Sequence, residues 1–340
     1  MKQLILLFLL FTSTLCFTQK IGVIEKQATE FALKEKKDTI NFIVMDTNLT
    51  IKKPIFLFCQ GSLPIPLCLK FKEYGVFLTA GGTSNFDLNE IKKHYHVVVV
   101  SMPKTPTIVD ESNLNNDYCY VPDTTKPTEF SKAYLEANYL QNYVNRANKV
   151  LKYLKKQSWV DNSKLIVAGH SQGTKVATKI TIENKDVTHL GLFAANPFGR
   201  VDQFIRQARL DTQKGKITWE EADKEIESIY DYFKTVHNKD SLKLNPDLVS
   251  TKSFSEPSID DWLEIEIPIY LAYGTADIIS DLCDIAPLFF IQKGKKNLTL
   301  KRYLNREHNF FEVDNTGKVN YENHHWHEVM NTFINWTLLE

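Results

Sequence analysis

Neither sign of charge is in excess in this 340-residue sequence: 41 Lys and Arg face 41 Asp and Glu. That balance offers no electrostatic footprint for nucleic acid or another polyanion, so no nucleic-acid partner is expected. Beyond the first residues no apolar run is long enough to cross a bilayer, which excludes a stable membrane span in the rest of the chain. There is no internal repeat and no low-complexity tract, so the repeat architectures drop out. Cysteine is scarce, five residues in all.

The exception to the missing apolar runs is the N-terminus. Met1-Lys2-Gln3 gives a positive start, residues 4–11 are continuously apolar, and small residues precede Gln19-Lys20. This is the pattern of a secretory signal peptide spanning 1–18, with Cys16 and Thr18 suited to cleavage after Thr18. Leu15 is too bulky for the position before a lipobox cysteine, so anchoring through Cys16 is the weaker alternative. The mature chain is expected to be exported, periplasmic or secreted, where disulfides are permitted. Of the four remaining cysteines, Cys59 falls in a strand and Cys283 in a helix. Cys68 and Cys119 fall in loops that could approach each other. Four cysteines allow three full pairings, and spacing does not choose among them.

The hydrophobic fraction of 43% and charged fraction of 24% are those of an ordinary globular chain. Residues 29–34 and 39–45 alternate as an antiparallel hairpin. Apolar runs at 54–59, 96–100 and 165–168 read as buried strands, and 189–194, 267–273 and 298–304 as further strands of the same sheet. Helical patterns fall between them at 85–95, 130–156, 174–181 and 285–292, and a closing helix is expected over 324–338. Residues 103–128 read as a long loop. The alternation predicts an α/β protein with a mostly parallel central sheet flanked by helices. Residues 200–262 are polar and helical in pattern, with Thr218 and Glu221 forming a capping box. They are expected to form a helical cap on a core made of 19–199 and 263–340. Trp219, Tyr230, Tyr232, Phe233 and Trp262 could line an apolar pocket there or form the cap's own core.

The chemistry centres on Leu165-Ile166-Val167-Ala168-Gly169-His170-Ser171-Gln172-Gly173. A short buried strand runs into G-x-S-x-G and then into a helix, the context in which Ser171 becomes a nucleophile on a sharp turn. The two glycines are expected because a Cβ at 169 or 173 would clash with nearby backbone, and Ser171 itself should be strained. Serine needs a base, and the base needs an orienting acid. Asp277 closes the turn after the 267–273 strand and suits the acid. Asp281 and Asp284 are rivals, but they fall in the first turns of the next helix, where a carboxylate simply suits the helix dipole. Among nine histidines, His308 follows the last strand and suits the base. His94 and His96 lie at the wrong end of the sheet, His170 sits inside the elbow, His189 starts a strand, and His237 lies in the cap. His324, His325 and His327 with Glu328 could suggest zinc, but no H-E-x-x-H is present, and solvated histidines at a helix start are the better reading. Backbone N–H groups of Gln172 and of Ser62, in the loop after the 54–59 strand, are the expected oxyanion donors, with Gly61 permitting close approach.

With these residues in place, Gln60-Gly61-Ser62, Gly169-His170-Ser171-Gln172-Gly173, Gly274-x-x-Asp277 and His308-Asn309-Phe310 together resemble the α/β-hydrolase superfamily, over roughly residues 25–340. The resemblance implies Ser171, Asp277 and His308 as a triad, and Ser62 and Gln172 as the oxyanion hole. Many members have His-Gly where this chain has Gln60-Gly61; the amide donor there is a backbone group. The expected activity is that of an exported serine hydrolase cleaving an acyl ester, with no cofactor and no metal. A serine peptidase or amidase on the same fold is the alternative, and a non-catalytic binding module is a third possibility that predicts a missing triad member. The expected partner is a small-molecule or peptide acyl substrate. The oligomeric state is not readable from the sequence.

Overall fold

A computed structural model describes residues 18–35 and 38–339. The expected signal peptide and Cys16 therefore lie outside the described residues, apart from Thr18.

Nine strands form one sheet. In spatial order they are Thr18–Ile24, Ala28–Lys34, Thr39–Val44, His96–Val100, Lys53–Cys59, Val160–His170, His189–Phe193, Ile269–Gly274 and Leu298–Tyr303. The first three run antiparallel to their neighbours, and the third is antiparallel to His96–Val100. Every later pairing is parallel. The expected hairpin is thus the edge of a larger sheet, extended by one more strand at 18–24.

The apolar runs follow from burial on both faces. Side chains alternate along a strand, so each face needs its own apolar set. Ile55, Leu57, Val98 and Val167 face a layer containing the helices Leu140–Leu154, Gln172–Glu183 and Ser280–Gln292. Phe56, Phe58, Val97, Val99 and Ile166 face the opposite layer, where Phe333 of the helix Trp326–Leu339 meets Phe56, Phe193 and Tyr270.

Several expectations are corrected. The helix expected over 85–95 is only a short 3-10 segment, Ala80–Asn85, and one α-turn, Leu88–Ile91. The 130–156 helix is broken into Lys132–Ala137 and Leu140–Leu154. Asn138 and Tyr139 leave helical geometry, and polar side chains take over the freed groups: Asn142 Nδ2 donates to the Ala137 carbonyl and Ser253 Oγ accepts from the Leu140 N–H, while the Tyr143 hydroxyl donates to Asn138 Oδ1. The 103–128 loop contains the strand Ile108–Asp110, which joins Cys68–Phe71 and Gly75–Leu78 in a small separate sheet. Cys68 is therefore in a strand rather than a loop, and Cys59, Cys68, Cys119 and Cys283 are all free and buried, so the Cys68–Cys119 bridge does not form. The closing helix starts at Trp326, because residues 319–324 pair with Phe311–Val313 as a hairpin.

Between His189–Phe193 and Ile269–Gly274 the chain forms five helices: Asp202–Gln213, Trp219–Val236, Lys239–Leu244, Pro246–Phe254 and Ile259–Glu264. The Thr218–Glu221 capping box is formed. This stretch has a small apolar cluster of its own, Ala208, Ala222 and Ile226. Trp262 is fully buried in the main core and donates to Thr178 Oγ1 at 3.0 Å. Trp219, Tyr230, Tyr232 and Phe233 are exposed, so they do not form a core.

Candidate active site

The turn after Val160–His170 is tight because two glycines permit it. A Cβ on Gly169 would overlap the Gly173 carbonyl and stand 2.7 Å from the Thr174 nitrogen. A Cβ on Gly173 would overlap the Cys59 carbonyl and stand 2.6 Å from the Gln60 oxygen. The helix Gln172–Glu183 therefore starts directly against the end of the Lys53–Cys59 strand. Ser171, between the two, holds φ 54° and ψ −123°, a region that costs a non-glycine residue free energy. Its backbone N–H donates to the Phe193 carbonyl at 2.9 Å, which ties the strained turn to the neighbouring strand end.

Asp277 and His308 come to the same sheet edge from two later strands. The turn after Ile269–Gly274 carries Asp277, whose side chain is completely enclosed. Gly274 lets the next loop in: a Cβ there would overlap the Arg306 carbonyl, which also accepts from the Ala276 N–H at 2.9 Å. That loop delivers His308. Its Nδ1 lies 2.7 Å from Asp277 Oδ2, and its Nε2 lies 2.8 Å from Ser171 Oγ. A carboxylate can only accept, so Nδ1 carries the proton and Nε2 is left to accept from the serine hydroxyl. Burial alone would pull the His308 pKa down. The hydrogen bond and charge of Asp277, with the charge of Glu307, outweigh it and hold the imidazole above the ordinary 6.5.

The rivals lie elsewhere. Asp281 pairs with Arg206, and Asp284 takes the Tyr273 hydroxyl and Arg302 Nε, each at 2.6 Å. His96 is buried at its strand start, with Nε2 2.9 Å from the Ile51 carbonyl. His189 contacts Thr188 Oγ1, and His237 ends the helix Trp219–Val236. His324 closes a strand rather than opening a helix, so it does not share a helix face with Glu328. Among the described residues no three His, Cys, Asp or Glu side chains converge as a metal site.

One histidine has a role that the sequence reading missed. His170 Nε2 is 2.9 Å from the backbone carbonyl of His308, and its ring packs edge-on to Trp326. Burial first, then the nearby His308 charge, push its pKa down to about 3. It is a neutral donor that pins the His308 loop. Phe310, fully buried against Trp326 and Tyr303, anchors the same loop from beyond His308. No local pattern announces the His170 contact, which joins residues 138 apart.

Ser62 and Gln172 both line a cavity of about 100 Å³ beside Ser171 and His308. The protein itself does not crowd Gly61: an added Cβ would meet none of its atoms within 4 Å. The loop is held from its flanks. Gln60 Nε2 donates to the Val100 carbonyl at 3.0 Å, and the Tyr134 hydroxyl donates to the Ser62 carbonyl at 3.1 Å. Burial pushes the Tyr134 pKa up to about 12, so the phenol stays a donor. The break between Lys132–Ala137 and Leu140–Leu154 therefore matters to the site, because the short first helix carries Tyr134. Gln203 and Phe254, from the 200–262 stretch, complete the cavity wall with Asn196, Arg200 and Ile279. Lys175 ties that stretch to the elbow helix, donating to the Phe198 and Glu256 carbonyls at 2.8 and 2.7 Å and to Ser258 Oγ at 3.1 Å. A larger groove of about 810 Å³ runs along residues 151–156, 160–165 and 183–186, at the other end of the sheet, and none of the candidate residues reaches it.

No protein-family model and no curated protein matches the chain in sequence. Solved structures match it in shape. A Bacteroides ovatus protein assigned as a dipeptidyl aminopeptidase IV has a TM-score of 0.53 and 11% identity, over 91% of this chain and 36% of that one. The Pyrococcus horikoshii acylaminoacyl peptidase gives 0.45 and 12%, over 82% and 37%. Est1E from Butyrivibrio proteoclasticus gives 0.47 and 14%, over 91% and 97%. The chain thus spans little more than a third of the two peptidase chains. At these identities the likeness is one of fold, and with its sheet order and its serine turn this chain has the α/β-hydrolase fold.

Proposed function

We propose that the protein is an exported serine hydrolase that cleaves short acyl esters through an acyl-enzyme. The observation that carries this is the continuous relay Asp277 Oδ2, His308 Nδ1, His308 Nε2, Ser171 Oγ, with contacts of 2.7 and 2.8 Å at its two ends. Ser171 Oγ attacks the acyl carbonyl and its proton passes to His308 Nε2. The negative charge formed on the carbonyl oxygen is taken by the backbone N–H groups of Gln172 and Ser62, each such donor lowering the barrier by about 3 kcal/mol. His308 returns the proton to the departing alkoxide, and water then releases the acid by the reverse steps. The N-terminal signal pattern supports export.

The size of the cavity narrows the acyl group. A cavity of about 100 Å³ is far below the volume that drug-sized ligands fill. A panel of 4-nitrophenyl esters from acetate to decanoate, run beside aminoacyl anilides, tests this. The kcat/KM is expected to peak at two to four acyl carbons and to fall by about tenfold or more by eight, because a chain longer than the cavity must strain its wall to enter. Turnover of the anilides alone would move the protein to the peptidases, and a preference for decanoate would contradict the pocket.

A further inference from the structure

The cavity beside Ser171 holds a cation that no acid among the described residues meets. The sequence has six arginines. Five meet a carboxylate: Arg146 with Asp38, Arg206 with Asp281, Arg209 with Asp223, Arg302 with Asp284 and Arg306 with Glu312. Among the described residues Arg200 meets none, although it lies half-buried in the cavity wall. Its hydrogen bond is a 3.4 Å contact from Nη1 to Gln172 Oε1, on the residue next to the nucleophile. Asp202, two residues along, makes no ion pair with Arg200: Asn196 donates to its Oδ2 at 3.0 Å, and its Oδ1 is buried without a partner. The cavity's other cation, Lys175, has its ammonium spent on two carbonyls and a hydroxyl. Arg200 is therefore the cation left facing the space where a substrate sits.

A guanidinium stays charged at any working pH and presents a flat fork that matches a carboxylate. Partly desolvated and without a counter-charge, it is a cost to the folded protein that a bound anion would offset. The cavity is too small to explain Arg200 as a bystander to a long acyl chain. A carboxylate suits it better than a phosphate, which brings more charge and more volume to a single cation.

We propose that Arg200 is the carboxylate-binding group of this site, and that the substrate is a short ester bearing a carboxylate a few bonds from the scissile carbonyl. This rests on the serine-hydrolase reading above. The carboxylate can belong to the acyl part or to the leaving group, and two substrate pairs separate these. On the acyl side, 4-nitrophenyl hemisuccinate is compared with neutral 4-nitrophenyl levulinate. On the leaving side, the butyryl ester of glycolate is compared with 2-methoxyethyl butyrate.

In one pair the wild type should favour the anionic ester by roughly 10- to 100-fold in kcat/KM, the range of a charge-assisted pair. That ratio should fall to about one in Arg200→Gln, invert in Arg200→Glu, and stay intermediate in Arg200→Lys, which keeps the charge and loses the fork. Uptake of a fluorophosphonate at Ser171 by each variant shows that its site is folded. Ratios near one in both pairs for the wild type, or a preference that survives Arg200→Gln, would overturn the proposal while leaving the hydrolase reading standing. A wild type that neither turns over any ester nor reacts at Ser171 would instead overturn the hydrolase reading, and this inference with it.

Discussion

Replacing Asp277 with Asn is expected to lower kcat by about 10³- to 10⁴-fold while leaving the fold intact. The carboxylate accepts from His308 Nδ1 through Oδ2, and its other oxygen accepts from the Ile279 N–H at 3.2 Å. An amide can keep the second contact only by turning its NH2 toward Nδ1. The imidazole must then carry its proton on Nε2, facing Ser171 with a donor where an acceptor is required. The same substitution should move the pH profile. In the proposed mechanism His308 is a base only when neutral, so kcat/KM should be lost as the pH falls through a pKa raised above 6.5. In Asp277→Asn the influences that raise that pKa shrink to the charge of Glu307, while burial, which lowers it, stays. The acid limb should therefore shift to lower pH. A variant with the wild-type rate, or with an unmoved acid limb, would show that Asp277 does not orient the base.

The second large effect is expected at Gly173. Its missing Cβ is what lets the elbow helix rest on the end of the Lys53–Cys59 strand, where an alanine would overlap the Cys59 carbonyl. The obstacle is backbone in the middle of the sheet, not a side-chain tip that can swing aside. Gly173→Ala should lose on the order of 3 kcal/mol of stability in chemical denaturation. It should also push the 60–62 loop away from Ser171, so that activity falls even where the variant still folds. Gly61→Ala provides the contrast: its Cβ meets nothing within 4 Å, and the stability change should stay within about 1 kcal/mol. Equal losses at the two positions would contradict this account of the turn.

These two glycines also show where sequence reasoning reaches and where it stops. Gly169 and Gly173 were legible because a strand, a sharp turn and a helix leave room for little else. Ser171, Asp277 and His308 were legible as candidates because each ends or follows an apolar strand, and a parallel sheet brings such ends to one edge. The same logic does not show what holds the Gly61 loop, which is tied down by Gln60 and Tyr134. It also missed His170, whose partner is a carbonyl far along the chain, and Arg200, which stands out only when every other arginine has been given its acid. The broken helix at 138–139 and the hairpin ending at His324 escaped for a related reason. The break is met by polar side chains five residues on, and the hairpin by backbone pairing with residues 311–313; neither leaves a period in the sequence.

The central claim is that the Ser171 hydroxyl is the atom that takes up an acyl group. Intact-mass measurement after treatment with a fluorophosphonate tests it most directly. One adduct per folded chain is expected, mapping to the peptide that contains Ser171, absent in Ser171→Ala and absent when the protein is denatured before treatment. An adduct on another residue, or a folded protein that takes up none, would contradict the account.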